Sequence, residues 1–129
     1  MRAVIYARYS SELQSDTSIE DHVRVCRERI TLEGGRIGQV YSDHAISGAS
    51  MMRPGLQTLM RDGATDRFDV VYAEALDRLS RDQEDIAAIF KRLSFAGVRI
   101  VTLTEGEIGQ LHIGVMGMMN AKYLSDLAD

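Results

Sequence analysis

The chain has 129 residues, 45% of them hydrophobic and 26% charged, the make-up of one ordinary globular domain. No apolar run nears the roughly 20 residues that span a bilayer, and Met1-Arg2-Ala3-Val4-Ile5-Tyr6 lacks the features of a secretory signal, so a cytoplasmic domain is expected. A formal net charge of −4 argues against general DNA affinity, which needs clustered positive charge, and the single cysteine, Cys26, excludes an internal disulfide.

Residues 2 to 7 form an apolar run ahead of a polar stretch, which predicts a buried strand delivering Arg8, Ser10 and Ser11 in the loop at its carboxyl end. Thr17 and Glu20 have the spacing of a capping box. Ile19, Val23, Cys26 and Ile30 then recur at helical spacing until Gly34-Gly35, which predicts a helix with Cys26 as a small buried filler. Ile37 to Ser42 reads as a second strand and Asp43 to Arg53, rich in small and polar residues, as a surface loop. Pro54 suits the first position of a short helix that runs to about Arg61 and ends near Gly63.

A third strand around Asp69 to Ala73 has the nearly continuous apolar character of a parallel-sheet interior. Leu76 to Asp82 connects it to an amphipathic helix carrying Ile86, Ile89, Phe90 and Leu93, closed by Gly97, and Val98 to Leu103 makes a fourth strand. The alternation implies an α/β fold: a mainly parallel, four- to five-stranded sheet flanked by helices, with functional loops at the carboxyl ends of the strands.

From Leu111 to Asp129, the residues Ile113, Met116, Met119, Tyr123 and Leu127 mark one helical stripe, with Val115 and Met118 off it. A helix apolar on several faces packs on its own core or on a partner, and its flexible methionines favour the partner. No stop signal precedes Asp129, so the helix is expected to continue in a longer protein.

The candidate chemistry begins at Tyr6-Ala7-Arg8-Tyr9-Ser10, where alternation would send Arg8 and Ser10 to the same side if the strand geometry persists that far. A serine here is by itself more often a turn residue than a nucleophile. Leu76-Asp77-Arg78-Leu79-Ser80-Arg81-Asp82 adds Arg78 and Arg81, which share a face if the segment is helical and so suit a phosphate. The ordinary alternative is a solvated helix start in which Asp82, Glu84 and Asp85 answer the arginines. Arg53 stands before Pro54 in a loop of the kind that closes over ligands. One serine and four arginines would make an electrostatic clamp for a phosphoryl transition state if the fold brings them together, which spacing alone does not establish.

These segments, together with Tyr41-Ser42-Asp43, Ser47-Gly48 and Arg53-Pro54-Gly55-Leu56, resemble the resolvase/invertase family of serine recombinases across essentially the whole chain and in the same order. The Arg-Pro-Gly-Leu segment and the final Met-Gly-Met-Met-Asn stretch look more like the large serine recombinases. The resemblance implies a resolvase-like catalytic domain over residues 1–110, the start of a long oligomerisation helix over 111–129, and a C-terminal DNA-binding region that the chain does not contain. It implies Ser10 as the nucleophile forming a 5′-phosphoserine link, Arg8, Arg53, Arg78 and Arg81 as ligands of the scissile phosphate, and Asp77 and Asp43 as acidic residues of the site. It implies no ATP, cofactor or metal. The implied partners are double-stranded DNA recombination sites, bound mainly through the C-terminal region, and further copies of the chain in a homodimer and synaptic homotetramer.

His22 departs from the glutamine that such sequences commonly carry after Ser-Ile-Glu-Asp. A lone helical histidine is more often structural or solvent-facing, and His22, His44 and His112 lack ligand-like spacing with Cys26 or the carboxylates. Two rival readings are a noncatalytic α/β module holding a phosphate ligand or nucleotide on its arginines, and a decayed relative that retains the fold and dimer surface but no longer recombines DNA. Against the first, Gly34-Gly35-Arg36-Ile37-Gly38 follows a helix, whereas a phosphate loop links a strand to a helix. The intact serine and arginines argue against the second.

Overall fold

The computed structural model describes residues 1–8, 16–43, 54–80 and 83–109. Along the chain these form β1 (Arg2–Arg8), α1 (Asp16–Leu32), β2 (Arg36–Asp43), α2 (Pro54–Gly63), β3 (Val70–Ala73), α3 (Leu76–Leu79), α4 (Gln83–Phe95), β4 (Arg99–Thr102) and β5 (Gly106–Ile108). The strands make one sheet in the order β2-β1-β3-β4-β5, parallel except for the β4–β5 pair. This is the α/β architecture expected from the alternation of strand and helix.

Alternating residues of β1 supply both faces of the sheet, as the two-residue period of a strand requires. Val4 and Tyr6 join Leu56, Leu59 and Met60 of α2 and Ile86, Ile89 and Leu93 of α4 in one core. Ala3 and Ile5 join Cys26 and Ile30 of α1 in a second core on the opposite face. Cys26 is fully buried there, and that burial pushes its thiol up to about 12, in keeping with an inert filler.

α1 starts at Asp16, one residue ahead of the expected cap Thr17, whose side chain lies outside the described residues. It stops where expected. Gly34 turns at φ +78° while its N–H and that of Gly35 donate to the carbonyls of Thr31 and Ile30, at 3.1 and 2.9 Å, closing the last turn.

Two elements are details that the sequence reading did not place. Leu76 to Leu79, within the expected connection, forms the single helical turn α3, and Gly106–Ile108 supplies the fifth strand of the expected four- to five-stranded sheet, antiparallel to β4. Both are too short to carry a periodic pattern. The helix expected over 111–129 lies outside the described residues.

The strand order places a reversal at β1: the chain leaves β1 for β2 on one side and returns to β3 on the other. Loops diverge at such a point, leaving a crevice beyond the carboxyl ends of the two central strands, where ligands bind in open α/β sheets.

Candidate active site at the switch point

Arg8 ends β1 at that crevice, and α3 follows β3 directly across from it. The Arg8 side chain is fully buried, donating from Nε to the carbonyl oxygen of Arg78 at 2.9 Å and from a terminal nitrogen to that of Asp77. Its planar fork thus meets two carbonyls at the end of a single helical turn, groups that no longer helix is present to satisfy. Of the candidate residues, the structure brings together Arg8, Asp77 and Arg78, with the Asp77 side chain exposed and that of Arg78 half-buried. Ser10, Arg53 and Arg81 lie outside the described residues.

Asp43, which pairs with Arg8 in the β1–β2 register, is a correction to the sequence reading. Expected at the start of a surface loop, it is the last residue of β2 and only 4% exposed. Three donors make that burial tolerable: Oδ2 accepts from the Tyr6 hydroxyl at 2.6 Å and the Leu56 N–H at 3.0 Å, and Oδ1 accepts from the Gly55 N–H at 2.8 Å. Asp43 therefore caps α2 from a neighbouring strand, satisfying N–H groups that the first turn leaves without helical partners. The close approach needs Gly55, because a β-carbon there would lie 2.4 Å from the Ser42 carbonyl oxygen and 2.9 Å from the Asp43 carboxylate. The Pro54-Gly55-Leu56 segment thus has a steric and hydrogen-bonding rationale. Arg53 immediately precedes it in sequence.

His22 of α1 reaches the same end of the sheet, with Nε2 2.8 Å from a carboxylate oxygen of Glu74, the residue after β3. Its Nδ1 is buried without a hydrogen-bond partner among the described residues. Burial pulls the imidazole below its ordinary value of 6.5 and Arg78 adds to that, while Glu74, Asp21 and Asp77 pull the other way. A neutral ring donating Nε2–H to Glu74 fits these contacts, which favour the structural over the solvent-facing role among the two that the sequence left open.

The sequence reading missed Glu74 and also Glu105, whose carboxylate lies in the turn between β4 and β5 and accepts from the Leu76 N–H at 2.8 Å. No local signal marks either one, since both act on residues distant in the chain or on another element. Gly34-Gly35 sits between α1 and β2, at the opposite end of the strands from Arg8, so it lends nothing to a nucleotide site here.

Residues 3–127 match the family model for the resolvase N-terminal domain. The Tn501 transposon resolvase of Pseudomonas aeruginosa is 36% identical over 78 residues, a match that takes in 58% of this chain and 39% of that protein. The chain therefore spans well under half the length of that relative. Among solved structures, the N-terminal catalytic domain of TP901-1 integrase superposes with a TM-score of 0.84 at 24% identity, covering 100% of both chains. The C-terminal catalytic domain of ISC1926 TnpA, an IS607-like serine recombinase, superposes with a TM-score of 0.73 at 32% identity, covering 79% of this chain and 68% of that one.

Proposed function

We propose, from the premise that the chain belongs to the resolvase N-terminal domain family, that it is the cutting and rejoining domain of a serine site-specific DNA recombinase. The observation that carries this reading is the buried tie between Arg8 and the carbonyls of Asp77 and Arg78. It holds the end of β1, two residues before Ser10 in sequence, against the turn that bears Arg78, at the switch point where ligands bind in such sheets.

In this reading Ser10 Oγ attacks the scissile phosphorus, and its O–P bond forms as the bond to the 3′ oxygen breaks. The serine loses its proton and the departing 3′ oxygen gains one, leaving a 5′-phosphoserine and a 3′-hydroxyl. Rejoining reverses the step with the 3′-hydroxyl of another strand, and because one phosphodiester replaces another no ATP is consumed. Arg8, Arg53, Arg78 and Arg81 stabilise the charge on the phosphoryl oxygens, and Asp77 orients those arginines or hands a proton to the leaving oxygen. Asp43 has a different task in this scheme. Both its oxygens are engaged by donors, which suits it to hold in place the start of α2, the helix that follows Arg53 in sequence.

With a net charge of −4, tight site recognition is assigned to a further region of a longer protein, and the 111–129 segment to the contacts of a homodimer and synaptic tetramer. Such a protein works in the cytoplasm. The decisive experiment incubates the full-length protein with nicked recombination-site DNA and maps the covalent adduct by mass spectrometry. A 5′ adduct on Ser10, absent from Ser10→Ala, is expected; an adduct persisting in Ser10→Ala overturns the assignment.

A further inference from the structure

α3 is a single turn of four residues, too short to hold its shape by its own hydrogen bonds, yet it bears Asp77 and Arg78. Its N-cap residue, Ala75, has no side chain with which to cap. The acceptor comes instead from Glu105, whose Oε1 takes the Leu76 N–H at 2.8 Å. Glu105 is itself fixed. Its N–H donates to Thr102 Oγ1 at 2.9 Å, that hydroxyl donates to Oε2 at 3.2 Å, and Thr102 is fully buried at the end of β4.

The rest of the β4–β5 turn is seated on the same connection. Leu103 and Thr104 donate their N–H groups to the carbonyls of Ala73 and Glu74, both at 3.1 Å, and the Thr104 hydroxyl also donates to the Glu74 carbonyl. The turn therefore extends the β3–β4 ladder past the strands and ends on the first N–H of α3. Arg8 holds the other end of α3 through the carbonyls of Asp77 and Arg78. A carboxylate at one end and a guanidinium at the other clamp a turn that would otherwise fray.

We propose that Glu105 is a positioning residue for phosphoryl transfer, acting through the α3 backbone to hold Arg78 where the phosphate binds. The inference rests on the strand-cleaving reading of the site. Glu105 never touches the DNA in this scheme. It removes the freedom of α3, and misplacement of a charge-stabilising group by about 1 Å is enough to slow a reaction by about a hundredfold.

The test measures covalent adduct formation by the full-length protein on nicked-site DNA, as a function of DNA concentration. Glu105→Ala is expected to slow the step at saturating DNA by about tenfold to a hundredfold while the half-saturating DNA concentration changes less than about twofold. Glu105→Gln keeps an oxygen for the Leu76 N–H and a donor for Thr102, and is expected to recover all but about threefold of the rate. Combined with Arg78→Ala, Glu105→Ala should add less than about twofold to the loss from Arg78→Ala alone, because both act through one group. A wild-type rate in Glu105→Ala, or losses that multiply in the double variant, overturns the inference. Should Glu105→Ala fail to fold, Glu105→Asp retains the charge but withdraws the acceptor by one methylene, and a full rate in that variant overturns it equally. Absence of any adduct from the wild-type protein would instead sink the strand-cleaving reading itself, and this inference with it.

Discussion

Arg8 and Arg78 stand 70 positions apart in sequence, yet the Nε–H of one donates to the carbonyl oxygen of the other at 2.9 Å inside the protein. The contact joins the end of the first strand to the turn after the third, and the guanidinium that makes it is fully buried. A charge in that position survives only with its donors satisfied.

Arg8→Ala should therefore destabilise the domain by about 2–4 kcal/mol, since it withdraws charged donors from the buried end of α3. Arg8→Lys should recover little, because an ammonium on a flexible stem does not reproduce the fork that meets two carbonyls. Urea unfolding of the two variants measures both effects, and a wild-type midpoint for Arg8→Lys would refute the bracing role.

Asp43→Ala should cost about 1–2 kcal/mol, the usual loss on removing a helix cap. Asp43→Asn, with a single carbonyl oxygen for three donors, should fall between that variant and wild type. Faster amide exchange at Gly55 and Leu56 in both variants would locate the loss at the start of α2, whereas unchanged exchange there would contradict the cap.

Gly55→Ala sets a methyl group 2.4 Å from the Ser42 carbonyl oxygen, so either α2 or the end of β2 must shift. The expected loss is about 1–3 kcal/mol, typical of overpacking. Thermal unfolding reads the loss, and a stability equal to wild type would show that the two elements are less closely seated.

His22 makes a prediction about pH. Burial holds the folded imidazole below its ordinary value of 6.5, so the unfolded chain binds the proton more readily. The neutral ring's contribution is thus fully present above about pH 6.5 and is lost as pH falls through the lower folded value. Glu74, Asp21 and Asp77 reduce this effect, and Arg78 reinforces it. In parallel urea titrations from pH 7.5 to 5, the stability of wild type relative to His22→Gln should decline toward acid. A constant difference would mean that the imidazole titrates alike in both states.

Much of the architecture was legible in the sequence because it is written in local patterns. Val4 and Tyr6 against Ala3 and Ile5 announce a two-sided strand, Ile19, Val23, Cys26 and Ile30 a helix, and Gly34 its end. The ordered arginines and Asp77 stood out as candidates for the same reason, since motif spacing is a property of the chain alone, and of them the structure brings Arg8, Asp77 and Arg78 together. Asp43 and Glu105 show where that legibility stops. Nothing beside either residue tells that its carboxylate will cap a helix 12 or 29 positions away, or that α3 will form at all. Those partnerships arise only when α2 folds back against the end of β2, and when the pairing of β3 with β4 sets the β4–β5 turn beside the start of α3. The sequence by itself determined the α/β alternation, the core-facing residues and the charged groups available. Tertiary structure alone decided which backbone ends those charges hold, because the donors and acceptors meet through space, across a sheet whose strand order is not the order of the chain.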